Sequence, residues 1–488
     1  MAAEAAPGEP SLDIERHLKY WKMCLRSPLP HAYLSNEGNR MALAYFIINS
    51  ISILTPSPPP LTSETDSAVA NKPPTPPLIG PEERRALRQW VLSHQHAAGG
   101  FCGTSSLVFP LRDYEEWDFE AGAPTQEHSG LANIAATLFA LQLLALLADD
   151  DTADSAFSGV DRVRTLRWLR RLQRGDGSFG EVLRLLPGGG WFIGGGYDMR
   201  YCYIATAVRW MLRGDMKAGE PGWVDDFDTA GLARYILTSQ TYDGGFAGSS
   251  QDEPHAGYAY CAIGALSLLD RPLENSEASH PSTILHSGIR DMPGLIHWLA
   301  SRQFVYLEPD SSADDDDEDD DDPVNFLLPK TLSDLSLDEN LHYAGFNGRC
   351  NKVADTCYCW WVGGALANLG REELLPREPS RRFLLEKMQH RIGGFGKYPG
   401  SPPDLYHACF GLAILAVMGE PGLSPFDSSL AVPVETVRRI ERARRGLLRT
   451  ASEEGKAGTL GGELVSMGLT LSDKTPEWLV GVTGVVPP

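Results

Sequence analysis

Apolar and polar positions divide the chain into two kinds of helical segment. One kind keeps its charges on a single face, as in residues 164–172, and this pattern is typical of an amphipathic outer helix. The other kind is apolar on every side and rich in Ala and Gly, which predicts a buried inner helix; it recurs at 203–212, 258–269, 357–369 and 409–418. Residues 12–54 also read as two helices, the second of which (40–54) we predict to be amphipathic. The alternation predicts an all-α fold, an α/α barrel (toroid) of repeated helical hairpins.

A turn of fixed spacing joins each outer helix to the inner helix that follows it. An aromatic residue is followed five residues later by Gln, and the Gln six residues later by Phe in a Gly-rich turn. The copies are Trp90-Gln95-Phe101, Trp168-Gln173-Phe179, Tyr235-Gln240-Phe246 and, with Leu for the aromatic residue, Leu384-Gln389-Phe395. A fifth copy opens with Trp298 and Gln303, but its Phe346 comes 43 residues after the Gln. Recurrence of this kind indicates one unit stacked several times.

The same pattern sets the expected organisation of the chain. Residues 1–54 are predicted to be N-terminal helices packing on the barrel, and 82–450 the barrel itself. Residues 55–81 are dense in Pro, Ser and Thr and are predicted to be a disordered insertion. A loop insertion at 304–340 contains the acidic run Asp314–Asp322, which we interpret as a solvated tether. The tail, 451–488, is assigned no function.

Composition excludes several classes of function. A net charge of −21 argues against a nucleic-acid partner, and the chain outside the acidic run still carries about −12. Eight cysteines without scaffold-like spacing suit a reducing compartment, so we expect a cytoplasmic protein. The N-terminus shows no secretory signal. The apolar stretch 131–148 is short for a bilayer and contains Asn133, Thr137 and Gln142, so it is interpreted as a buried helix and the chain as not an integral membrane protein.

Polar residues stand at the entrances of the inner helices. Arg200 precedes one of these helices, His255 the next, Asp355 and Cys357 the next, and His407 the last. Counted from the Phe of each turn, His255 and Asp355 lie nine residues on and His407 twelve. Because equivalent offsets in a closed array bring side chains to one rim, the pattern predicts an apolar cavity with convergent polar groups, which is the usual form of a ligand site.

Asp355, Cys357 and His407 are residue types that bind zinc. Residues i and i+2 of a helix point about 200° apart, so Asp355 and Cys357 can share a metal only if the helix begins between them. At that position the helix dipole would favour the thiolate of Cys357. Three protein ligands leave a fourth position open, as in catalytic zinc sites. Two alternatives remain: a closed structural site of Cys350, Cys357, Cys359 and His407, or a buried cysteine cluster without metal.

Several hydrogen-bond donors accompany this candidate metal site. Arg349 and Lys352 lie just upstream of Asp355, and Tyr358 follows Cys357. Together with Arg200, His255 and Lys397 they would form a donor group suited to an anionic leaving group such as diphosphate, whose charge rises in the transition state.

The segment from Gly348 to Tyr358 resembles the zinc motif of protein prenyltransferase β-subunits, G-R-x-N-K-x-x-D-x-C-Y. The resemblance covers most of residues 12–420 and includes Asp198-Met199-Arg200, His255-Ala256-Gly257-Tyr258 and Tyr406-His407. It implies one zinc ion, bound by Asp355, Cys357 and His407. It further implies that His255, Arg349, Lys352 and Tyr358 bind an isoprenoid diphosphate, and that Arg200, Tyr203, Cys261 and Trp361 line the isoprenoid pocket.

Within that family the chain is most similar to the type I geranylgeranyltransferases. Ala42 stands where farnesyltransferases carry a Trp that shortens the pocket, so a fourth isoprene unit is expected to fit. Lys397 stands in place of a magnesium-binding Asp, which implies that magnesium is not required. Phe410 also matches the type I form. Asn133 and Leu138 depart from the His and Tyr of the family's peptide-contact segment.

The resemblance implies a zinc-dependent enzyme that works as a heterodimer with a prenyltransferase α-subunit. Its expected reaction transfers geranylgeranyl from geranylgeranyl diphosphate to the cysteine of C-terminal C-a-a-X proteins such as Rho-type small GTPases, with X often Leu. The alternatives are a farnesyltransferase β-subunit, a terpene cyclase and a non-catalytic helical-repeat scaffold. The cyclase is the weaker enzyme alternative, because the D-x-D-D match lies only within the acidic run.

Overall fold

A computed structural model describes residues 10–56, 77–104, 116–118, 123–125, 130–185, 190–276, 282–306 and 342–466. Its helices are α1 (Ile14–Arg26), α2 (Arg40–Leu54), α3 (Pro81–Leu92), α4 (Ile134–Leu146), α5 (Arg162–Arg171), α6 (Met199–Leu212), α7 (Thr229–Thr238), α8 (Ala256–Asp270), α9 (Thr283–Ser287), α10 (Met292–Ala300), α11 (Thr356–Asn368), α12 (Arg377–Arg382), α13 (Leu405–Val417) and α14 (Val434–Ser466). A π-helical turn, Phe383–Met388, continues α12, and short 3₁₀ helices lie at His31–Asn39, Asp150–Ser155 and Glu372–Leu374.

The strands are short and pair in antiparallel twos. They are β1 (Phe101–Cys102) with β4 (Ala132–Asn133), β2 (Glu116–Asp118) with β3 (Ala123–Thr125), β5 (Val182–Leu185) with β6 (Trp191–Gly194), β7 (Gln303–Val305) with β8 (Ala344–Phe346), and β9 (Phe426–Asp427) with β10 (Val432–Pro433). In the fifth repeat the β7–β8 register places Gln303 opposite Phe346. This is the same Gln–Phe pairing that the other copies make as isolated bridges.

Six inner helices of the described chain close into a ring. In the order α2, α4, α6, α8, α11 and α13 each packs on the next, and α13 packs back on α2. Outer helices α1, α3, α5, α7 and α10 pack on the inner helix that follows each of them. The predicted α/α toroid is therefore confirmed, and the stretch 131–148 does contain a buried helix, α4.

The prediction for residues 40–54 is wrong in one respect. Helix α2 is not amphipathic, because its residues from Tyr45 to Ile51 are all buried. With α1 it forms the first hairpin of the ring.

The inserts predicted at 55–81 and 304–340 lie mostly outside the described residues, as does the run Asp314–Asp322. Within the described residues, no helix is long and apolar enough to cross a membrane.

The Gln of each turn ties its repeat to the next one. The side chain of Gln240 donates to the backbone carbonyl of Asp291 at 2.9 Å and accepts from the amide of the same residue at 2.9 Å. Gln173 makes the same pair of bonds, both 2.8 Å, with Asp228. These aspartates cap the next outer helices, α10 and α7. Gln389 of the last repeat accepts from the amide of Asp13 at the start of α1, so this contact also closes the ring.

Replacing one of these glutamines is expected to weaken the barrel. Gln240→Ala leaves an amide and a carbonyl of Asp291 without their partners, so the free energy of unfolding should fall by about 1–3 kcal/mol. Urea denaturation of the purified protein measures the change. Gln251→Ala is the matched control, because the Gln251 side chain is exposed and should change stability by less than about 0.5 kcal/mol. Equal losses in both variants would contradict this role for the turn glutamine.

A short segment between β9 and β10, Asp427–Ala431, closes the end of the barrel at which the inner helices terminate. The hydroxyls of Tyr45, Tyr203 and Tyr260, from three inner helices, donate to backbone carbonyls of this segment at 2.5 to 2.8 Å. Arg271, just after α8, pairs with Asp427 through two bonds of 3.0 and 2.7 Å. We call Asp427–Ala431 the plug. It leaves the opposite end, where the inner helices begin, as the entrance.

Candidate active site

The polar residues of the site lie at the N-caps of inner helices. Asp198, His255, Asp355 and Asp404 precede α6, α8, α11 and α13, and each side chain accepts a backbone N–H of the first turn. The capping requirement explains why these residue types stand at these positions. Because helix N-termini carry partial positive charge, their convergence at the entrance favours an anionic ligand there.

Asp355, Cys357 and His407 come together as the sequence predicts. Their ligand atoms all lie within 4.8 Å of one another, and the three residues are buried. Helix α11 begins at Thr356, between the aspartate and the cysteine. Asp355 therefore leaves the helical direction, which allows its carboxylate and the thiol of Cys357 to face the same point. The carboxylate also accepts from the amide of Cys357 at 2.9 Å.

Sequence reasoning missed Asp404, which orients His407. Its carboxylate lies 2.6 Å from Nδ1 of the imidazole, which leaves Nε2 as the metal-binding atom, as is usual for histidine ligands paired with a carboxylate. Burial opposes ionisation of Asp404, but the hydrogen bonds from His407 prevail and lower the pKa of the carboxyl group. The available signal was the position of Asp404, three residues before His407, at the same kind of helix entrance as Asp355.

The pKa shifts of two of the three donors indicate that the donor set lacks a compensating positive charge. Burial raises the pKa of Asp355, and burial together with the neighbouring Asp355 raises that of Cys357 well above its ordinary value. The effect of the helix dipole on the thiolate stays a prediction, and burial and the Asp355 carboxylate act in the opposite direction. A divalent ion would supply the missing positive charge, and a set of one oxygen, one nitrogen and one sulfur donor suits zinc.

The closed structural site receives no support among the described residues. Cys350 is exposed, and its sulfur accepts from Nη1 of Arg302 at 3.3 Å. Cys359 is buried, with its thiol directed at the carbonyl of Asp355. Neither belongs to the cluster that brings together Asp355, Cys357 and His407.

A cavity of about 610 Å³ occupies the centre of the ring. Its walls are largely aromatic: Tyr45, Phe46, Phe139, Tyr203, Tyr258, Tyr260, Trp360, Trp361, Tyr406 and Phe410. Gln142 on α4 and Ala431 of the plug also line it. The volume lies within the range of small-molecule sites.

Most of the predicted binding residues line this cavity. Four of them are in its wall, Tyr203, Cys261, Trp361 and Phe410, and three more are at its polar end, Arg200, His255 and Arg349. Ala42, Lys352 and Tyr358 are not among the described residues that line it. Ala42 is half-buried on α2, and Lys352 is exposed beside Asn347, whose amide donates to the Lys352 carbonyl at 3.0 Å.

The two arginines at the entrance are each paired with a carboxylate. Nε of Arg200 lies 2.9 Å from both carboxylate oxygens of Asp198, and this pairing raises the pKa of the guanidinium. Nη1 of Arg349 lies 2.9 Å from Glu253. Both guanidinium groups are thus held beside carboxylates at the polar end of the cavity.

His255 is held neutral with a defined tautomer. Its Nδ1 accepts from the amide of Gly257 at 3.0 Å, so the ring proton is on Nε2, which lies 2.9 Å from the hydroxyl of Tyr358. Burial, followed by the charges of Arg349 and Arg200, lowers the pKa of His255 to about 4. Burial raises the pKa of Tyr358. The tyrosine thus accepts from His255 and keeps its own proton for another acceptor.

Lys397 lies on the metal side of the entrance. Its ammonium is 4.9 Å from the centre of the Tyr398 ring. Burial opposes its charge, but Tyr398 and the nearby Asp355 and Cys357 raise its pKa. The backbone of this segment packs on α11, because the carbonyl of Gly396 accepts from the Thr356 hydroxyl at 2.6 Å.

The fold is that of a prenyltransferase toroid. The prenyltransferase alpha-alpha toroid domain family matches residues 12–432, and the chain belongs to this family of enzymes. It is 30% identical over 438 residues to the geranylgeranyl transferase type-1 subunit beta of Arabidopsis thaliana, covering 87% of this chain and 90% of the relative. The resemblance noted in the sequence is confirmed.

Two further proteins show how far the similarity extends. Identity to the protein farnesyltransferase subunit beta of Pyricularia oryzae is 25%, over 84% of this chain and 64% of the relative. The solved Candida albicans protein geranylgeranyltransferase-I complexed with GGPP shares the fold, with a TM-score of 0.62 and 24% identity over 89% of this chain and 99% of that one.

Proposed function

We propose that this chain is the β-subunit of a protein geranylgeranyltransferase type I. It would transfer geranylgeranyl from geranylgeranyl diphosphate to the cysteine of C-terminal C-a-a-X proteins such as Rho-type small GTPases. The observation that carries the proposal is the meeting of three elements at one entrance: a zinc-type donor set, a group of cations and an aromatic-walled cavity. The sequence similarity to a type-1 beta subunit supports the assignment to type I within the prenyltransferase family.

The metal-binding residues would prepare the nucleophile. Asp355, Cys357 and His407 would hold one zinc ion, which in the bound state lowers the pKa of a substrate thiol at its open position. Asp404 fixes the ring of His407 in the orientation that this requires. Because Asp355 is also the N-cap of α11, its carboxylate is fixed by the helix backbone.

The donors at the entrance would receive the diphosphate. Arg200 and Arg349 supply fixed charge, while Tyr358, which accepts from His255, directs its own hydroxyl proton to a phosphate oxygen. Lys397 supplies positive charge beside the metal-binding residues, which supports transfer without magnesium. Lys352 lies in the same loop as Arg349 and is proposed to bind the outer phosphate oxygens. Charge that develops on the leaving group would be stabilised by groups already in place.

The cavity wall would bind the isoprenoid. Trp361 is fixed by its indole N–H bond to the Tyr406 hydroxyl at 3.0 Å and packs 4.9 Å from the Phe410 ring centre. Tyr203 and Cys261 face the same cavity from α6 and α8. Ala42 remains our proposed position for extra room, although it lies beside the cavity lining and not in it.

The partner would be a prenyltransferase α-subunit. Tyr242, in the turn before α8, is 99% exposed, and Phe192 and Tyr197, before α6, are also exposed. These turns lie at the entrance end of the barrel, and large exposed aromatic side chains are typical of protein interfaces. All eight cysteines are free, which suits the cytoplasm.

A competition assay tests the proposed function. The co-expressed αβ pair is given a C-a-a-Leu peptide with equal farnesyl and geranylgeranyl diphosphate, with and without magnesium. We expect geranylgeranyl transfer to exceed farnesyl transfer by at least about tenfold, a difference of about 1.4 kcal/mol, and to be insensitive to magnesium. As a control, Lys397→Asp should make transfer respond to magnesium, because a carboxylate beside diphosphate completes a magnesium site.

The other outcomes separate the alternatives. Farnesyl transfer that requires magnesium would identify a farnesyltransferase β-subunit. Absence of any transfer, together with absence of bound zinc, would support a non-catalytic scaffold.

A further inference from the structure

The entrance of the cavity carries balanced charge. Two cations, Arg200 and Arg349, and two carboxylates, Asp198 and Glu253, all act on the imidazole of His255, the cations lowering its pKa and the carboxylates raising it. The pairs are Arg200 with Asp198 and Arg349 with Glu253. A diphosphate that enters must therefore compete with carboxylates that already hold these cations.

The two carboxylates differ in how firmly they are held. Asp198 is buried, and besides its contacts to Arg200 it caps α6 by accepting from a backbone amide at 2.9 Å. Its position is thus set by the helix. Glu253 lies in the loop before α8, with 56% of its side chain exposed, and it forms an ion pair with Arg349. Glu253 can turn away into solvent at little cost, whereas Asp198 cannot.

Arg349 is also the less firmly paired of the two cations, because one ion pair joins it to Glu253, whereas Arg200 makes three bonds to the carboxylate of Asp198. The Arg349 side chain is 40% exposed, and both Arg349 and Glu253 line the cavity. An exposed ion pair of this kind contributes little free energy, because solvent screens it and two long side chains must be ordered. A diphosphate with several anionic oxygens would displace a single carboxylate from the guanidinium.

We infer that Glu253 competes with the diphosphate for Arg349. Its carboxylate pairs with Arg349 when the site is empty and pairs with it again as inorganic diphosphate leaves. This role rests on the proposed function, since it requires that the entrance binds diphosphate. Glu253 keeps Arg349 at the entrance and speeds release, at the expense of affinity for the substrate in its ground state. It acts through Arg349 and is a positioning residue.

The test measures binding of inorganic diphosphate and of geranylgeranyl diphosphate to the αβ complex by calorimetry. Glu253→Gln should lower Kd for both by about threefold to fivefold, the value of one exposed ion pair. It should also slow release of inorganic diphosphate in a stopped-flow displacement assay and lower the KM for the isoprenoid. Geranylgeraniol, which has no phosphate, should bind the variant and the unaltered protein equally.

Asp252→Asn is the matched control. It removes the same charge one residue away, where the carboxylate accepts from the Ser249 hydroxyl at 3.0 Å. If its effect equals that of Glu253→Gln, general charge and not competition for Arg349 is responsible, and the inference is overturned. Weaker diphosphate binding by Glu253→Gln would overturn it too, because Glu253 would then assist binding. If the unaltered complex binds neither diphosphate, the proposed function fails together with the inference. If it binds both and Glu253→Gln matches the control, the inference alone fails.

Discussion

Cys357→Ala is expected to remove the metal and the activity together. The sulfur of Cys357 is one of three donors within 4.8 Å of one another, and two remaining donors do not make a zinc site. Loss of a residue that only supports a metal ligand costs 10- to 100-fold in affinity, so loss of a ligand should cost at least about 100-fold. Zinc measured by mass spectrometry on the purified αβ complex should fall from one ion to less than about a tenth, and transfer should fall with it.

Cys359→Ala is the control for this change, two residues further along the same helix. Cys359 is fully buried, but its thiol points at the Asp355 carbonyl, and Cys359 does not belong to the group of three metal-binding residues. The substitution should leave zinc and transfer intact and cost about 1–2 kcal/mol of stability through the small cavity it creates. Loss of zinc in both variants would instead support the closed structural site. Retention of zinc by Cys357→Ala would show that the metal lies elsewhere.

Gly348→Ala is expected to lower transfer by at least about tenfold, the order of magnitude lost with one preorganised donor. A Cβ at Gly348 would lie 2.1 Å from the ring of Tyr358, far inside van der Waals contact. The ring must move, and its hydroxyl then leaves Nε2 of His255, 2.9 Å away. Single-turnover kinetics on the αβ complex would show the loss in the chemical step, with zinc content unchanged.

Two variants separate this effect from general damage. Gly175→Ala places a Cβ where no atom lies within 4 Å, so it should leave transfer unchanged. Tyr358→Phe removes the hydroxyl without a clash and should reproduce most of the loss. If Tyr358→Phe is fully active, displacement of the tyrosine hydroxyl is not the cause of the Gly348→Ala defect.

The ring could be predicted because its determinants are local. The Gln–Phe turn recurs at fixed spacing within each repeat, and Gln173 and Gln240 bond the aspartates that cap the outer helices of the next repeats. The metal set came from residue types that bind zinc and from the resemblance to the prenyltransferase motif, and helix geometry added the condition, met in the fold, that a helix begins between Asp355 and Cys357. Asp404 could have been found in the same way, from its position just before the start of a predicted inner helix.

Other features depended on partners far along the chain. Helix α2 was predicted to be amphipathic, but its polar residues Asn49 and Ser50 are buried. In the fold, Asn49 donates to the carbonyl of Ala431, 382 residues away. Pairing across such a separation leaves no signal in either segment. The ion pair of Glu253 with Arg349 was missed for the same reason. The role of Ala42 came from resemblance, and that of Lys352 from its position in the sequence and from resemblance; neither reports whether a side chain reaches the cavity.

The plug has a consequence for the time course of folding. Tyr45 belongs to the first hairpin, yet its hydroxyl bonds Ala431, 386 residues later. At about 5–20 residues per second, a ribosome needs roughly 20–80 s to make the intervening chain. During that interval the nascent barrel has an open base, with apolar inner helices and buried polar groups accessible to water and to other chains. Cellular holdases are therefore expected to matter most for this protein before its last eighth has been synthesised.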